Sequence, residues 1–472
     1  RALSDHAVAW TSALRYSPTM DDALHNGEHL QLRYMTRFSC IGPDCEDHCC
    51  YGWRVDINEE GYKRLIAAAA FSAKPIRSRI QAAIKVTAPK KKKERARYSI
   101  RHGDDQYCPF LDERGLCDLH ANFGHAILPD VCAIYPRKMK RVGDHLEHSA
   151  TASCPEVSRQ LLMHADGADV VPLDLATVDR LSVQTGLDTR DLRPYYRTLV
   201  TVRDFVIELL GHDTHTLQER LFLMVWFAKR TADILQKQRL HADLGPVHRE
   251  MALLRDAKVR AEICRRFEAV EAPAALALMV VRAIVRPNAK GAIRPKWNSL
   301  VMGTINSYAH LRTLIPDSTD AADHDRAAAN DRGTQTLMTI NEVWDEYRER
   351  RARVRARLGD RIDQYLRNYT LHQWFHRMAT EESDVMLYVL RLLSQQAATK
   401  FLLYSDPRVH AALADETLDD DGLVAAMDAV AVDIHYQLSR HIEHGPLITY
   451  LVKMLETAQL ASLAGAVYLI RF

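Results

Sequence analysis

The chain has 472 residues, which favours two to three domains, and its 47% hydrophobic and 26% charged content is ordinary for a water-soluble protein with ample core. Its net charge of +2 predicts no obligatory nucleic-acid partner, and no apolar run reaches the roughly 20 residues of a membrane span. The first residues carry no signal peptide, so we expect a cytoplasmic protein.

The first clear elements flank a cysteine-rich loop. Residues Gln31–Ser39 alternate apolar and polar side chains, with aromatic and β-branched residues among them, which predicts a strand. The strand leads into a loop over residues 40–53, whose glycines and proline permit a tight path around one centre. Val55 begins a second predicted strand, and we expect Asn58 to cap the helix that follows.

A basic run, Lys90–Arg97, separates this loop from a second cysteine segment. The run is either a solvated loop or a functional surface, such as a docking site for an acidic partner or an electrostatic gate beside a substrate cleft. Beyond it, a turn at Asp112–Gly115 predicts a short hairpin. Cys108 and Cys117 lie near the two ends of that hairpin, so their sulfurs can point to one side.

The rest of the chain divides into a short β region and a long helical region. Arg137–Val142 and His145–Ala152 predict two strands joined by a tight turn. After Cys154 the periodicity is helical almost throughout. We therefore predict a mainly α protein: a small cysteine-rich α+β metal-cluster module with short strands over residues 1–160, and a larger all-helical domain over 161–472. The stretch 316–332, which has no bulky apolar residue, is the best candidate for a mobile loop.

Eight of the nine cysteines fall in one quarter of the chain, where an even spread would place about two. They are Cys40, Cys45, Cys49, Cys50, Cys108, Cys117, Cys132 and Cys154. Disulfides are rare in the cytoplasm, so the cluster favours metal ligation or redox chemistry. Zinc and an iron–sulfur cluster both use cysteine thiolates, and the spacing leaves both open.

The sequence lacks the motifs expected of several classes of metal-binding protein and enzyme. Paired zinc knuckles would show two Cys-x2-Cys hairpins, and there are none. In the three-cysteine motif of radical S-adenosylmethionine enzymes, Gly52 would stand in place of the third sulfur. The chain also lacks a glycine-rich dinucleotide loop, a phosphate-binding loop and a nucleophile elbow. The residues alone indicate a metal- or cluster-binding module on a helical body.

The cysteine block resembles the bacterial flagellin lysine N-methylase family, and its middle part is similar to a zinc/iron-chelating cysteine-cluster domain. The segments that carry the resemblance are Phe38-Ser-Cys40-x4-Cys45-x3-Cys49-Cys50-x-Gly52-Trp53, Cys108-Pro-Phe-Leu-x5-Cys117, Cys132-x2-Tyr135-Pro136-Arg137 and Ser153-Cys154-Pro155-Glu156. The resemblance is specific over residues 31–160 and looser around Tyr365–Tyr369 and Arg440–His444. It implies methyl transfer from S-adenosylmethionine to surface lysines of flagellin, with a [4Fe–4S] cluster held by some of the eight cysteines, or zinc as the alternative.

Such a transfer needs a neutral amine, whereas a free lysine has a pKa of about 10.4, so the site needs a proton acceptor. Candidate catalytic residues are Tyr365, Tyr369 and Glu443, and Tyr135 is a further possible acceptor. Each tyrosine is alternatively a core residue with a satisfied hydroxyl.

Four residues are candidates for cofactor binding: Tyr135, Arg137, Arg440 and His444. Arg440, Glu443 and His444 fall on about one helical turn, a spacing that suits a cofactor carboxylate or ribose but also a helix-surface ion pair. Arg137 has two possible roles. It either contacts the cluster or the cofactor, or it forms a simple salt bridge. We expect the cofactor site at the junction of the two modules, since pockets form at domain interfaces.

Two other functions fit the same residues. One is a metal-chelating module whose helical part binds a protein partner without catalysis. The other is a redox enzyme or sensor that uses the cluster or the Cys49–Cys50 pair.

Overall fold

The computed structural model describes residues 29–47, 49–51, 55–88, 96–103, 106–178, 183–191, 193–211, 214–238, 243–286, 294–315, 333–380, 382, 384–444 and 447–472. Within these ranges, the side chains of residues 184–185, 333–337 and 443–444 are not described. The candidate loop 316–332 and most of the basic run Lys90–Arg97 lie outside the described residues.

The described residues are mainly helical, which confirms the predicted fold class. The helices of the first 162 residues are α1 (Tyr34–Arg37), α2 (Glu59–Ala70), α3 (Lys74–Ala83), α4 (Asp118–Phe123), α5 (Asp130–Ile134) and α6 (Pro155–Leu162). The later helices are α7 (Pro194–Gly211), α8 (Leu217–Gln236), α9 (Gly245–Arg255), α10 (Ala257–Arg265), α11 (Ala274–Ile284), α12 (Pro295–Asn306), α13 (Gly333–Arg377), α14 (Val385–Ser405), α15 (Pro407–Ala414), α16 (Asp420–His444), α17 (Leu447–Thr457) and α18 (Leu463–Arg471).

The strands form two sheets. They are β1 (Leu30–Leu32), β2 (Val55–Ile57), β3 (Ile84–Thr87), β4 (Arg97–Ile100), β5 (Arg137–Val142), β6 (His145–Ala150), β7 (Val170–Pro172) and β8 (Val183–Leu187). One sheet has the order β7-β1-β6-β5-β8, in which β1–β6 and β5–β8 are parallel and β7–β1 and β6–β5 antiparallel. The other has the order β2-β4-β3 and is antiparallel. The predicted boundary at residue 160 stays a prediction, although β7 and β8 beyond it join the first sheet.

Local signals place several elements as predicted. The Asn58 side chain accepts a hydrogen bond from the Gly61 amide at 2.7 Å and so caps α2. The β5–β6 hairpin turns at Gly143, whose φ of +56° is a conformation that glycine adopts without strain. Both features follow from short-range chemistry that the sequence displays directly.

The predicted strand Gln31–Ser39 is wrong beyond Leu32, because the chain turns into the short helix α1. Tyr34 and Met35 are neighbours and are both buried, which an alternating surface strand would not allow. The Tyr34 hydroxyl donates to the Ala150 carbonyl at 2.9 Å and accepts from the Ala150 amide at 2.6 Å. This long-range contact with β6 outweighs the local strand propensity.

A buried ionic network joins the first sheet to the helices. The Glu147 carboxylate of β6 accepts from Arg203 at 2.5 Å and lies 3.2 Å from the Lys140 ammonium of β5. Lys140 also donates to the carbonyls of Phe375 and His376 at the end of α13. Burial alone would raise the pKa of Glu147, but the positive charges of Arg203 and Lys140 outweigh it and lower that pKa.

No helix in the described part of the chain is both long enough and apolar enough to cross a lipid bilayer.

Candidate metal centre and adjoining cavity

The cysteines of the block are shared between two hydrophobic cores. The smaller core surrounds the β2-β4-β3 sheet and contains buried Cys108, with Cys50, Cys117 and Cys132 packed against it. The larger core belongs to the helical body, and Cys154 packs against that one. None of the nine cysteines is in a disulfide.

Backbone pairing brings the first group of thiols together. The Cys108 amide donates to the Cys50 carbonyl at 2.9 Å, beside an antiparallel bridge between Tyr51 and Tyr107. Leu111 pairs with Cys117 across a turn, so the hairpin predicted between Cys108 and Cys117 is confirmed. The Asp112 carboxylate holds that turn by accepting from the Leu116 amide at 2.8 Å.

These thiols influence one another electrostatically. Burial raises the pKa of the Cys132 thiol, and the neighbouring sulfurs of Cys108, Cys49 and Cys117 raise it further. The pKa of Cys117 is raised by burial and by Cys108 and Cys49. A hydrogen bond with Cys108 and one with Cys49 raise the pKa of Cys50. Since burial and neighbouring thiols oppose the ionisation of Cys50, Cys117 and Cys132, a bound cation would favour their thiolate forms.

A second group of thiols lies beside the large core. The Cys45 thiol donates to the Asp47 carbonyl at 2.8 Å. Burial raises the pKa of Cys45, Arg440 lowers it, and Cys40 raises it. Burial also raises the pKa of Cys154, against the backbone amides of Val157 and Glu156, and Cys45 adds to the rise. Cys45 is therefore close to Cys40 and to Cys154.

Arg440 of α16 ties this second group to the helical body. Its guanidinium forms an ion pair with Asp47 in the cysteine loop and donates to the Ser153 carbonyl at 2.7 Å. The Ser153 hydroxyl lies 3.2 Å from the Tyr135 hydroxyl. Burial raises the pKa of Tyr135, while the Arg440 charge opposes that rise. The structure thus brings together Tyr135 and Arg440, two of the predicted cofactor-binding residues, next to Cys154.

A cavity of about 270 Å³ opens where the cysteine loop meets α12 and α16. Its lining includes the aromatic rings of Tyr51, Tyr107 and Trp297, the cations Arg114, Arg294, Lys296 and Arg440, the acids Glu46 and Asp47, and Cys45. Arg294 donates to the Tyr51 carbonyl at 2.9 Å and stacks over the Tyr51 ring with its guanidinium carbon 4.9 Å from the centroid. This cavity lies at the junction where we expected a cofactor site.

The two predicted catalytic tyrosines lie one turn apart on α13. Tyr365 donates to the Asp428 carboxylate and accepts from Arg361 at 3.3 Å, so its hydroxyl belongs to a structural ion-pair network. Tyr369 lines a small polar cavity and stacks against His372, with ring centroids 6.1 Å apart. Neither tyrosine lines the 270 Å³ cavity.

The other predicted site residues are placed as follows. Arg137 is the first residue of β5, and its guanidinium stacks over the Phe38 ring, 5.0 Å from the centroid. Glu443 and His444 belong to the end of α16, but their side chains lie outside the described residues. Their predicted roles stay predictions.

In the part of the chain that the structure describes, no three cysteine sulfurs all lie within 4.8 Å of one another. Tetrahedral zinc with bonds of about 2.3 Å needs sulfurs about 3.8 Å apart. Among the described residues, the trio whose donor atoms all lie within 4.8 Å of one another is instead His215, Glu219 and Cys264. That trio has a structural explanation, since Glu219 accepts from the Thr216 amide at 2.7 Å in a capping box and Arg260 donates to His215 at 3.2 Å.

Sequence reasoning missed Asp47, Arg294 and Trp297. Asp47 stands inside the cysteine block, and its position between two predicted ligands was an available signal. Arg294 and Trp297 follow a poorly patterned stretch, and nothing local indicates that α12 meets the cysteine loop. Trp297 lines the cavity and stacks on His441 of α16, with ring centroids 4.8 Å apart.

The fold and site define a class: a cysteine-rich, metal-chelating module joined to a helical body. A family model described as a zinc- or iron-chelating domain matches residues 39–155. A second model, the FliB lysine N-methylase C-terminal domain, matches residues 203–469, more than half of the chain. The chain belongs to the FliB lysine N-methylase family.

Curated relatives agree with this family. The chain is 25% identical over 194 residues to a lysine-N-methylase of Salmonella typhimurium, a match that covers 41% of this chain and 45% of the relative. It has the same identity and coverage with a lysine-N-methylase of Salmonella choleraesuis. It is 29% identical over 133 residues to the flagellar biosynthetic protein FliU of Salmonella muenchen, covering 28% of this chain and 76% of the relative. The chain thus spans about half the length of the lysine-N-methylases it matches, and no solved structure matches it.

Proposed function

We propose that this protein transfers methyl groups from S-adenosylmethionine to surface lysines of flagellin, and that thiols of the cysteine block hold a [4Fe–4S] cluster. The observation that carries the proposal is the 270 Å³ cavity between the cysteine loop and α12 and α16 in a member of the lysine N-methylase family. The cavity is close to the lower end of ligand-pocket volumes, about 300 Å³.

The cavity lining suits S-adenosylmethionine, which supplies the methyl group when bound. The rings of Tyr51, Tyr107 and Trp297 offer faces for the adenine and for the positively charged sulfonium. Arg294 is placed to hold the carboxylate by a charge-assisted hydrogen bond. Arg440 is already engaged with Asp47 and Ser153, so it orients the wall.

The same cations favour the neutral lysine that the reaction requires. Arg114, Arg294 and Lys296 line the cavity, and like charges nearby lower the pKa of an incoming ammonium. The proton then leaves to water through the open side of the cavity. The roles predicted for Tyr365, Tyr369 and Glu443 as proton acceptors, and for Tyr135, Arg137, Arg440 and His444 in cofactor binding, stay predictions, and in the proposal made from this cavity water accepts the proton.

The donor set fits a cluster better than a single zinc ion. Each cysteine of a four-iron cluster binds a different corner, so its sulfurs lie further apart than around one zinc. Cys45 lines the cavity, and a cluster that includes the neighbouring thiols fixes the cysteine loop as one wall of the substrate site. Zinc is the alternative that the chelating-domain family also permits.

The names of the relatives support the substrate. Two are lysine-N-methylases and one is a flagellar biosynthetic protein, which together favour a flagellar protein as acceptor. We propose flagellin as the partner, with no role for nucleic acid or membrane, and the cytoplasm as the location, where the thiols stay reduced.

The test is mass spectrometry of purified flagellin incubated with the anaerobically prepared protein and S-adenosylmethionine. We expect lysine peptides heavier by one or more methyl groups. Lys296→Gln, in the cavity lining, should slow the reaction, whereas Lys229→Gln, paired with Asp233 on α8, should not. Metal-loaded protein that binds flagellin without methylating it would favour a binding module, and reversible bleaching of the cluster without methylation would favour a redox protein.

A further inference from the structure

The charged side chains at the mouth of the cavity differ in what they bind. Glu46, Arg114 and Lys296 line the cavity and are exposed. The Glu46 carboxylate forms an ion pair with Arg159 of α6. Arg114 donates twice to the Asp112 carboxylate of its own hairpin, at 3.0 and 2.8 Å. Lys296 instead donates to the Glu46 backbone carbonyl, and in the described part of the chain it forms no ion pair with a carboxylate.

The start of α12 adds to the positive charge of Lys296. The four residues from Arg294 to Trp297 all line the cavity, and Lys296 lies in the first turn of the helix. The first amides of a helix have no partner within it and carry partial positive charge. The side chain of the N-cap residue, Arg294, does not cap the helix, and the first turn contains no acid. The cation and the helix end therefore act on the same part of the cavity, where both favour an anion.

The protein substrate can supply that anion. A folded protein cannot enter a space of about 270 Å³ beyond one side chain, so the residues that flank the target lysine stay at the mouth. Lys296 is exposed there, whereas Arg294 is half-buried. In the proposed function Arg294 holds the carboxylate of S-adenosylmethionine, and Lys296 is left to meet a residue of the substrate.

We propose that Lys296 selects lysines that have an acidic neighbour on the surface of the protein substrate, by forming an ion pair with that Asp or Glu. The neighbour is adjacent to the target lysine in sequence or in space. This inference rests on the proposed methyltransferase function and names the class of lysine that it modifies.

The same ion pair prepares the target lysine for methyl transfer. An acid beside a lysine stabilises the ammonium form and raises the pKa of that lysine, whereas the reaction needs the neutral amine. When the carboxylate pairs with Lys296, the target amine loses this stabilising charge. No covalent bond forms or breaks in the exchange, and the proton of the target lysine still leaves to water. Lys296 is thus a specificity residue.

The first test needs no variant of the enzyme. Purified flagellin is methylated, and peptide mass spectrometry identifies the lysine that is modified fastest. Replacing the acid nearest to that lysine with the corresponding amide should slow its methylation about fivefold at low salt, the upper range for an exposed ion pair. The other methylated lysines of the same flagellin are the control and should keep their rates.

Two results of this test contradict the inference. One is an unchanged rate at the lysine whose acidic neighbour was replaced. The other is a fastest-modified lysine that has no acidic residue within about 8 Å, the Debye length at physiological ionic strength.

Charge reversal separates recognition from a structural role. Lys296→Glu should methylate wild-type flagellin slowly, and should act faster on a flagellin in which the same acid is replaced by arginine, because opposite charges then meet again. Lys453→Glu, exposed on α17 and outside the cavity lining, is the matched control and should keep the wild-type preference for the acid. If Lys296→Glu also prefers the acid over arginine, Lys296 does not contact the flanking residue and the inference is wrong.

Circular dichroism and metal content show whether Lys296→Glu folds as the wild type does. If it does not, Lys296→Gln decides the same point, since it should methylate the acid and amide forms of flagellin at equal rates. A persisting fivefold difference in Lys296→Gln overturns the inference. Wild-type protein that methylates no lysine contradicts the proposed function itself, whereas methylation without preference contradicts the role of Lys296 alone.

Discussion

Arg440 and Asp47 form a nearly buried ion pair across 393 residues of sequence, with side-chain exposures of 6% and 14%. The pair joins α16 to the cysteine loop at the rim of the cavity. Because the pair is nearly buried, the position of the loop depends on the helical body.

Asp47→Asn should lower the free energy of unfolding by about 3 kcal/mol, because it leaves the Arg440 guanidinium buried without a counter-charge. Urea denaturation followed by circular dichroism measures the change. Asp44→Asn, in the same loop but exposed, is the control and should stay within about 0.5 kcal/mol. The double variant Asp47→Asn/Arg440→Met should lose less than the sum of its single changes, and strict additivity would contradict direct coupling.

Lys140 should make stability rise with pH in the alkaline range. Burial lowers the pKa of Lys140 to about 8, against the attraction of Glu147. Between pH 8 and the unfolded value of about 10.5, the unfolded chain holds more protons, so the free energy of unfolding increases with pH. The gain should reach roughly 3 kcal/mol. Chemical denaturation of wild type and Lys140→Met from pH 7 to 10 tests this, since the free energy of unfolding of the variant should not rise in this way. If the two proteins gave parallel curves of unfolding free energy against pH, Lys140 would not be the cause.

His435 should lower stability in acid. Burial lowers its pKa to about 4, and its ring donates to the Ala431 carbonyl at 2.7 Å. Between about pH 6.5 and 4 the unfolded chain binds the extra proton, so the free energy of unfolding decreases as pH falls. His435→Gln should flatten this slope, whereas His164→Gln, at an exposed position, should keep it. If wild type and both variants lost unfolding free energy equally as the pH falls, groups other than His435 would cause the acid sensitivity.

Arg294→Gln should weaken binding of S-adenosylmethionine about tenfold, equivalent to about 1.4 kcal/mol, because it removes a cation from the cavity wall. Isothermal titration calorimetry gives the dissociation constant. Arg312→Gln, close in sequence but outside the cavity lining, is the matched control. Unchanged affinity in Arg294→Gln would place the donor in another part of the chain.

The sequence predicted those parts of the site that local chemistry determines. Asn58 predicts the start of α2, and the turn at Asp112–Gly115 predicts the hairpin that pairs Leu111 with Cys117. The helical character beyond Cys154 follows from its 3.6-residue periodicity. Within that region, α9 and α10 are separate helices, because the Asp256 side chain caps the start of α10 by accepting from the Lys258 amide at 2.7 Å.

What the sequence could not predict depends on contacts between distant residues. α1 replaces a strand because Tyr34 bonds to Ala150, 116 residues later. The cavity forms where Trp297 and Arg440 lie beside the cysteine loop, and no local sequence pattern indicates that either residue is near the loop. The thiols also fall into two groups according to the hydrophobic core they pack against. Their spacing along the chain does not indicate this division.

The two hydrophobic cores also have a consequence for cooperative unfolding. The cysteine block has thiols in both cores, since Cys108 is buried in the small core and Cys154 packs on the large one. Metal bound across that division contributes its binding free energy to holding the cores together. Loaded protein should therefore melt in one transition, and chelation should split it into an early melting of the small core and a later melting of the helical body.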